Sequence, residues 1–186
     1  VKAELVAAVD DWALYESNPE LSERLLDVVR RADPGPWLDR LRDSKVRTVD
    51  SAVAQLAKEA DVRNTAPAAL SVLAELMRRH TLSPSKCLTA ACAAHPREFE
   101  LHFARALAQN MVNGKAIGPY EAARALRPEN QSVWKNLGVA LQVQGDTDGA
   151  IVAYKRAIEL NPKDAIAHST LGAALGAKGD VDGAIT

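Results

Sequence analysis

A seven-residue segment near the C-terminus occurs twice. Gly145-Asp146-Thr147-Asp148-Gly149-Ala150-Ile151 and Gly179-Asp180-Val181-Asp182-Gly183-Ala184-Ile185 agree at six positions, 34 residues apart. The same offset relates Leu137-Gly138 to Leu171-Gly172, Ala140 to Ala174, Leu141 to Leu175 and Pro128 to Pro162. A unit of this period cannot bury its apolar face alone, so the chain must fold by stacking successive copies.

Each repeated residue has a task in a helix–turn–helix unit. Leu137 and Leu141, four apart, face one side of a helix. Gly138 has no Cβ and lets a second helix approach closely. Gly145 ends the first helix as a left-handed cap, with Asp146 and Asp148 filling the turn. Ala150, Tyr154 and Ala157 form one stripe on the second helix, and Pro162, after Asn161, stops it. These residues resemble the tetratricopeptide repeat (TPR), whose pattern is Trp, Leu-Gly, Tyr, Ala, Phe/Tyr, Ala, Pro over about 34 residues. Trp134, Leu137, Gly138, Leu141, Ala150, Tyr154, Ala157 and Pro162 fill the eight places in order, with Leu141 for the first Tyr. A further copy beginning at Ala165 supplies His168 in the place of Trp, then Leu171, Gly172, Leu175 and Ala184, and stops at Thr186.

Weaker copies precede these. Ala116, Tyr120, Ala123 and Pro128 match a second helix, and Phe99, Phe103 and Leu107 give a first-helix stripe. Pro96 to Pro128 is 32 residues rather than 34, which predicts a shortened turn near Asn110–Gly114. Before it, 66–80 reads as one helix, with Leu70, Leu73, Leu76 and Met77 inward. Its partner is expected over 83–94, with Ser83 as N-cap, Pro84 at the first helical position, and Leu88, Ala91 and Pro96 in register.

Residues 1–64 are helical by pattern without a clear repeat. Leu5, Val9, Trp12 and Tyr15 predict an inward stripe on a helix over 2–17. Asn18-Pro19-Glu20 starts a second helix to about residue 32, carrying Leu21, Leu25, Leu26 and Val29. Asp33-Pro34-Gly35-Pro36 is a turn, Trp37, Leu38 and Leu41 begin a short helix, and Val49, Val53 and Leu56 predict a last one over 48–60. The alternating charges Asp39, Arg40, Arg42, Asp43, Lys45, Arg47 and Asp50 read as a solvated surface, or more sharply as a docking face. The run 5–14 and the segment 31–43 (Arg-Ala-Asp-Pro-Gly-Pro-Trp-Leu-Asp-Arg-Leu-Arg-Asp) are similar to the region between catalytic domain and repeat array in large bacterial serine/threonine protein kinases of eukaryotic type. That resemblance implies that a kinase domain once preceded Val1, and the chain is expected to be a fragment of a longer protein.

Composition narrows the function. The chain is 47% apolar but only 4% aromatic, so core volume must come from Ala, Leu and Val in close-packed helices. Lys and Arg number 23 against 24 Asp and Glu, and a net charge of -1 argues against nucleic acid as a partner. No apolar run reaches the length needed to cross a membrane. Cys87 and Cys92 are five apart, so on one helix they point about 140° from each other and form no disulfide. That fits a reducing, cytoplasmic compartment.

No chemistry-bearing set is readable. The glycine-rich loop, strand lysine and catalytic aspartates of kinase chemistry are missing, and so is a Walker-type loop. The Gly145–Gly149 turn lacks a third calcium ligand, and the twelfth residue from Asp146 is Ala157 rather than Glu. Cys87, Cys92, His95 and His102 match no common zinc spacing. His80 and His168 stand alone, as packing or surface residues. The expectation is therefore no enzyme, no metal and no cofactor.

In TPR proteins ligand peptides lie in a concave groove lined by the first helices. That resemblance implies groove positions at Ser132, Lys135, Asn136, Val139, Gln142 and Val143, then Ile166, Ser169, Thr170 and Ala173. Lys135 could meet a carboxylate, and Asn136 a peptide backbone. The carboxylate clamp of chaperone-binding TPRs is incomplete here, with Val139 in the place of its Asn and Ile166 and Thr170 in the places of basic groups. The expected fold is all-α: ten to eleven helices in antiparallel pairs forming a right-handed repeat superhelix. Residues 1–64 would be a non-repeat helical region. Residues 65–186 would be the array, with copies over 65–96 (degenerate), 97–130 (divergent), 131–164 (clear) and 165–186 (truncated). The expected function is a protein–protein interaction module holding a peptide or partner protein in that groove. The alternative is a structural spacer or self-association element beside a kinase domain, with the truncated last repeat docking on another copy of the chain.

Overall fold

A computed structural model describes residues 2–114 and 116–179. Among them every regular element is helical, and there are twelve helices rather than ten or eleven. They are α1 (Lys2–Tyr15), α2 (Pro19–Ala32), α3 (Pro36–Leu41), α4 (Ser44–Arg47), α5 (Asp50–Glu59), α6 (Pro67–Arg79), α7 (Ser85–Ala94), α8 (Phe99–Asn113), α9 (Ile117–Leu126), α10 (Gln131–Val143), α11 (Thr147–Leu160) and α12 (Ala165–Lys178). The chain divides into two compact units, Val1–Ala104 and Arg105–Thr186, with the division inside α8.

The N-terminal unit starts where the sequence signals start. Asn18 caps α2, its side chain accepting from the backbone N–H groups of Glu20 and Leu21, with Pro19 at the first turn. One apolar cluster joins Leu14, Leu41, Val53, Leu56, Leu73 and Leu76, and a second joins Ala13, Leu26 and Val29. Trp37 packs on the first cluster and donates its indole N–H to the Leu56 carbonyl at 3.1 Å.

Several expectations fail in this unit, among them the start of α7, which begins at Ser85 with Pro84 rather than Ser83 at its N-cap and no side-chain capping bond. Leu5, Trp12 and Tyr15 are not inward; they are 61%, 54% and 61% exposed, and α1 buries Asp10, Ala13 and Leu14 instead. The apolar residues of α1 lie on more than one face, so periodicity alone does not select the buried side. Val49 caps α5 and is exposed rather than inward. The charge run is not a uniformly solvated surface, because Arg42 is fully buried within it. That run also contains α4, a single short helix started by the Asp43 side chain accepting from Lys45 N–H at 2.8 Å.

Arg42 is anchored from three sides. Its Nε donates to Asp10 Oδ1 at 2.9 Å and its Nη2 to Asp10 Oδ2 at 2.7 Å, a bidentate pair with both side chains almost fully buried. Nη1 donates to the Asp33 carbonyl at 2.6 Å, and Nη2 reaches Asp33 Oδ2 at 3.3 Å. Arg42 is one of four arginines that close helix ends. Arg30 donates to the Arg42 carbonyl at 2.6 Å, Arg47 to the Leu41 carbonyl at 2.8 Å and Arg79 to the Leu14 carbonyl at 2.9 Å. The last carbonyls of a helix have no partner within it, and here guanidinium groups supply one for α1, α2 and α3. Burial pulls Arg47 down to about 10, still protonated at neutral pH. His80 does not stand alone either. Nδ1 lies 2.5 Å from Asp50 Oδ1 and Nε2 lies 2.6 Å from the Arg47 carbonyl.

The C-terminal unit is built by the repeat. Gly145 sits at φ +87, the left-handed cap expected of it. Asp146 caps α11 by accepting from Gly149 N–H at 2.9 Å. Ala150, Tyr154 and Ala157 are fully buried, and Ala174 and Leu175 of α12 pack on the α11 stripe. Gly138 lies against the Tyr154 ring: a Cβ there would sit 2.5 Å from Cε1 and 2.7 Å from Cδ1. The turn expected to be shortened near Asn110–Gly114 is not. α8 runs on through Asn113 and α9 begins at Ile117, the same interval as between Val143 of α10 and Thr147 of α11. The 32-residue spacing comes instead from α9, which has 10 residues against 14 in α11, while α8 has 15 against 13 in α10. The last copy's second helix, with Ala184, lies outside the described residues.

Candidate functional site

The residues expected to face a ligand lie on α10 and α12. None is fully buried: Ser132, Lys135, Asn136, Val139 and Gln142 are half-buried, Val143 is exposed, and on α12 Ile166, Ser169 and Ala173 are exposed with Thr170 half-buried. Ile166 shows 62% of its surface, an apolar group offered to solvent.

Several of the polar groups already have partners within the chain. Lys135 Nζ meets Asp164 Oδ2 at 2.9 Å, and Gln131 Nε2 donates to the same oxygen. Asp164 is the N-cap of α12, its other oxygen accepting from Ile166 N–H at 2.9 Å and Ala167 N–H at 3.2 Å. The Lys135 ammonium, aided by those backbone donors and Gln131, holds the Asp164 carboxyl down at about 2. Lys135 thus does meet a carboxylate, but one of its own chain, and the contact fixes the start of α12 against α10. Asn136 Nδ2 donates to the Ser132 carbonyl at 2.8 Å, and Gln142 Oε1 accepts from Tyr154 O–H at 2.9 Å. Thr170 Oγ1 donates to the Ile166 carbonyl at 2.9 Å. Of the ten residues, those left exposed are Val143 at the end of α10 and Ile166, Ser169 and Ala173 on α12.

One recurring contact escaped the sequence reading. Trp134 donates its indole N–H to the Pro128 carbonyl at 2.6 Å, and His168 Nε2 donates to the Pro162 carbonyl at 3.0 Å. His102 Nε2 does the same to the Pro96 carbonyl at 3.1 Å. Trp and His are interchangeable at this place because both present a ring N–H to the carbonyl six residues earlier. The helix ends just before these prolines also recur. His95, Arg127 and Asn161 each donate the backbone N–H to the carbonyl of Ala91, Ala123 or Ala157, and those three alanines are fully buried. The three copies therefore share one chemistry at spacings of 32 and 34 residues.

A family model for the TPR repeat matches residues 143–179. Solved structures of MamA share the fold. One MamA crystal structure aligns at 22% identity and TM-score 0.68, covering 81% of this chain and 89% of that one. A second MamA crystal structure aligns at 20% identity and TM-score 0.63, covering 99% and 86%. MamA from Desulfovibrio magneticus RS-1, residue 41 to the end, aligns at 20% identity and TM-score 0.55, covering 99% and 89%. No curated protein sequence matches the chain. Identities this low speak for the fold alone. They agree with an all-α, TPR-like architecture, the class expected from the 34-residue period.

Neither cysteine is in a disulfide, Cys92 being buried and Cys87 half-buried, and burial raises the Cys87 thiol above its ordinary pKa. His95 Nε2 donates to the Val62 carbonyl at 2.8 Å. No described helix is long and apolar enough to cross a membrane.

Proposed function

We propose that the chain is a protein–protein interaction scaffold that receives a peptide or partner protein on the α10–α12 surface. The observation that carries this reading is the placement of Val143, Ile166, Ser169 and Ala173. Repeat helices bury every alanine and tyrosine of their packing stripe, yet leave these four small or apolar groups in solvent. Lys135 and Gln131 support the surface from beneath by fixing Asp164 and so the start of α12. Ser132, Asn136, Val139, Gln142 and Thr170 border it. A polar rim beside an apolar patch is the usual anatomy of a transient interface. The scaffold does no chemistry of its own on this reading and acts in the cytoplasm. The division into a helical region over 1–64 and a repeat array over 65–186 belongs to the same proposal, as does an origin beside a bacterial kinase domain, which rests on the segment 31–43.

Site-directed photo-crosslinking tests it. A photoreactive side chain at Ser169 or Ala173 is expected to capture protein partners from the source cytosol. The same group at Val152, exposed on α11, is expected to capture none of them. Equal capture at both places, or none at either, overturns the assignment of the surface.

A further inference from the structure

We propose that the N-terminal unit carries a second docking surface, a trough between α5 and α7 that receives an amphipathic helix of a partner protein with carboxylates on its flanks. The trough measures about 520 Å³. Ala54 and Ala57 form one wall and Cys87 and Ala90 the other, with Met77 and Leu82 between them. Small side chains on both walls let a helix backbone come close, while Met77 and Leu82 offer contacts to anchors spaced at i, i+3 or i+4, and i+7. The volume falls within the ordinary range of ligand sites.

Charge selects the occupant. The charged residues of the lining are Lys58 and Lys86, one on each wall, and the lining holds no carboxylate. Both lysines are exposed, and among the described residues neither meets a carboxylate. The acidic groups nearest in sequence are engaged elsewhere: Glu59 by Arg40 at 2.5 Å and Gln55 at 2.6 Å, and Asp61 by Asn64 at 2.8 Å. Two uncompensated cations flanking an apolar floor attract an apolar stripe bordered by Glu or Asp and repel one bordered by Lys or Arg. The trough goes beyond the α10–α12 surface, since all its lining residues lie between Ala54 and Ala90.

The test selects a displayed library of amphipathic helical peptides, leucine on one face and random flanks, on the whole chain. Enrichment of Glu and Asp at the flanks is expected. An enriched peptide, made synthetically, is expected to slow alkylation of Cys87 in proportion to its occupancy. The exposed double variant Lys58→Glu/Lys86→Glu should bind it about tenfold more weakly at low salt, and peptides with Lys in place of Glu should restore binding. Circular dichroism confirms that the variant keeps its helices. Failure to enrich, enrichment of basic or uncharged flanks, or binding that leaves Cys87 fully reactive overturns the proposal. So does Cys87 protection that grows with protein concentration in the absence of peptide, which would make a second copy the occupant. Photo-crosslinking from Ser169 should be indifferent to the lysine changes, so the two surfaces fail or stand separately.

Discussion

The two units of the chain solve the same problem with different chemistry. In the C-terminal unit, helices are matched by small and aromatic residues that recur at a fixed spacing: Gly138 under Tyr154, the buried alanines 150, 157 and 174, and a ring N–H on each proline carbonyl. In the N-terminal unit no such period holds α1 to α4. Arginines reach from one helix to the open carbonyls of another, and a buried ion pair ties α1 to the end of α3. Shape complementarity is distributed over many weak contacts, whereas a guanidinium concentrates several bonds in one side chain. The N-terminal unit should therefore be the more vulnerable to single substitutions.

Arg42→Met tests that vulnerability hardest. It leaves Asp10 as a buried carboxylate without a partner, and removing one member of such a pair costs about 3–5 kcal/mol. Chemical denaturation should show the N-terminal unit destabilised or unfolded. Asp10→Leu/Arg42→Met removes both charges and should recover part of the loss, but not all, because the Asp33 carbonyl still lacks its donor. Full recovery would mean that the ion pair, and not the carbonyl bond, carried the effect.

Gly138→Ala is the matching blow to the C-terminal unit. The added methyl meets the Tyr154 ring, which is fully buried and cannot swing away, and overpacking of this kind costs about 1–3 kcal/mol. Gly176→Ala in α12 is the control: nothing lies within 4 Å of the added atom, so helix propensity alone should raise stability by about 0.5–1 kcal/mol. If Gly138→Ala also stabilised, close helix approach would not be what the repeat glycine provides.

How far each unit could be read from its sequence follows from the same contrast. Periodic packing leaves a periodic record, so Gly145, Tyr154 and Pro162 announced their turns, stripe and stop. An arginine that caps a helix leaves none, because its acceptor is a backbone carbonyl that any residue supplies. Arg42 therefore looked like one more charge in a run, although its bond to Asp10 spans 32 residues. The same ambiguity hid the buried side of α1. Leu5, Trp12 and Tyr15 make as good a stripe as Val6, Ala13 and Leu14, and the face that is buried is the second, with Asp10 on it paired to Arg42. At the candidate site, the N-cap role of Asp164 has a sequence signal, a carboxylate residue before a helix, but its pairing with Lys135 across 29 residues has none.

Acid should separate the units next. Asp164 is depressed to about 2, below the unfolded value near 4, so its contribution is fully present above about pH 4 and is lost as pH falls through about 2. Hydrogen exchange of peptides from the start of α12 should accelerate across that window. Lys135→Met removes the largest cause of the depression and should move the acceleration to higher pH. An unchanged profile would leave the Lys135–Asp164 contact without energetic weight.

The smallest effect is expected at the opposite end of the scale and in the other unit. His80 faces acceptors at both ring nitrogens, Asp50 and the Arg47 carbonyl, so only the imidazolium satisfies both, and its pKa is raised first by Asp50 and then by that carbonyl. A raised pKa means stability fully present below the unfolded value near 6.5 and lost as pH rises through the folded value. Asp50 is three-quarters exposed, so solvent screens the pair and the loss should be modest. It should appear as faster hydrogen exchange at the end of α6 and the start of α5 when pH is raised from 6 to 8, after correction for the intrinsic rate. Asp50→Asn should flatten that dependence while leaving the acid response of α12 untouched. If instead both responses flattened, the two units would not be titrating independently, and the contrast between arginine-held and repeat-packed halves would lose its basis in separate stability.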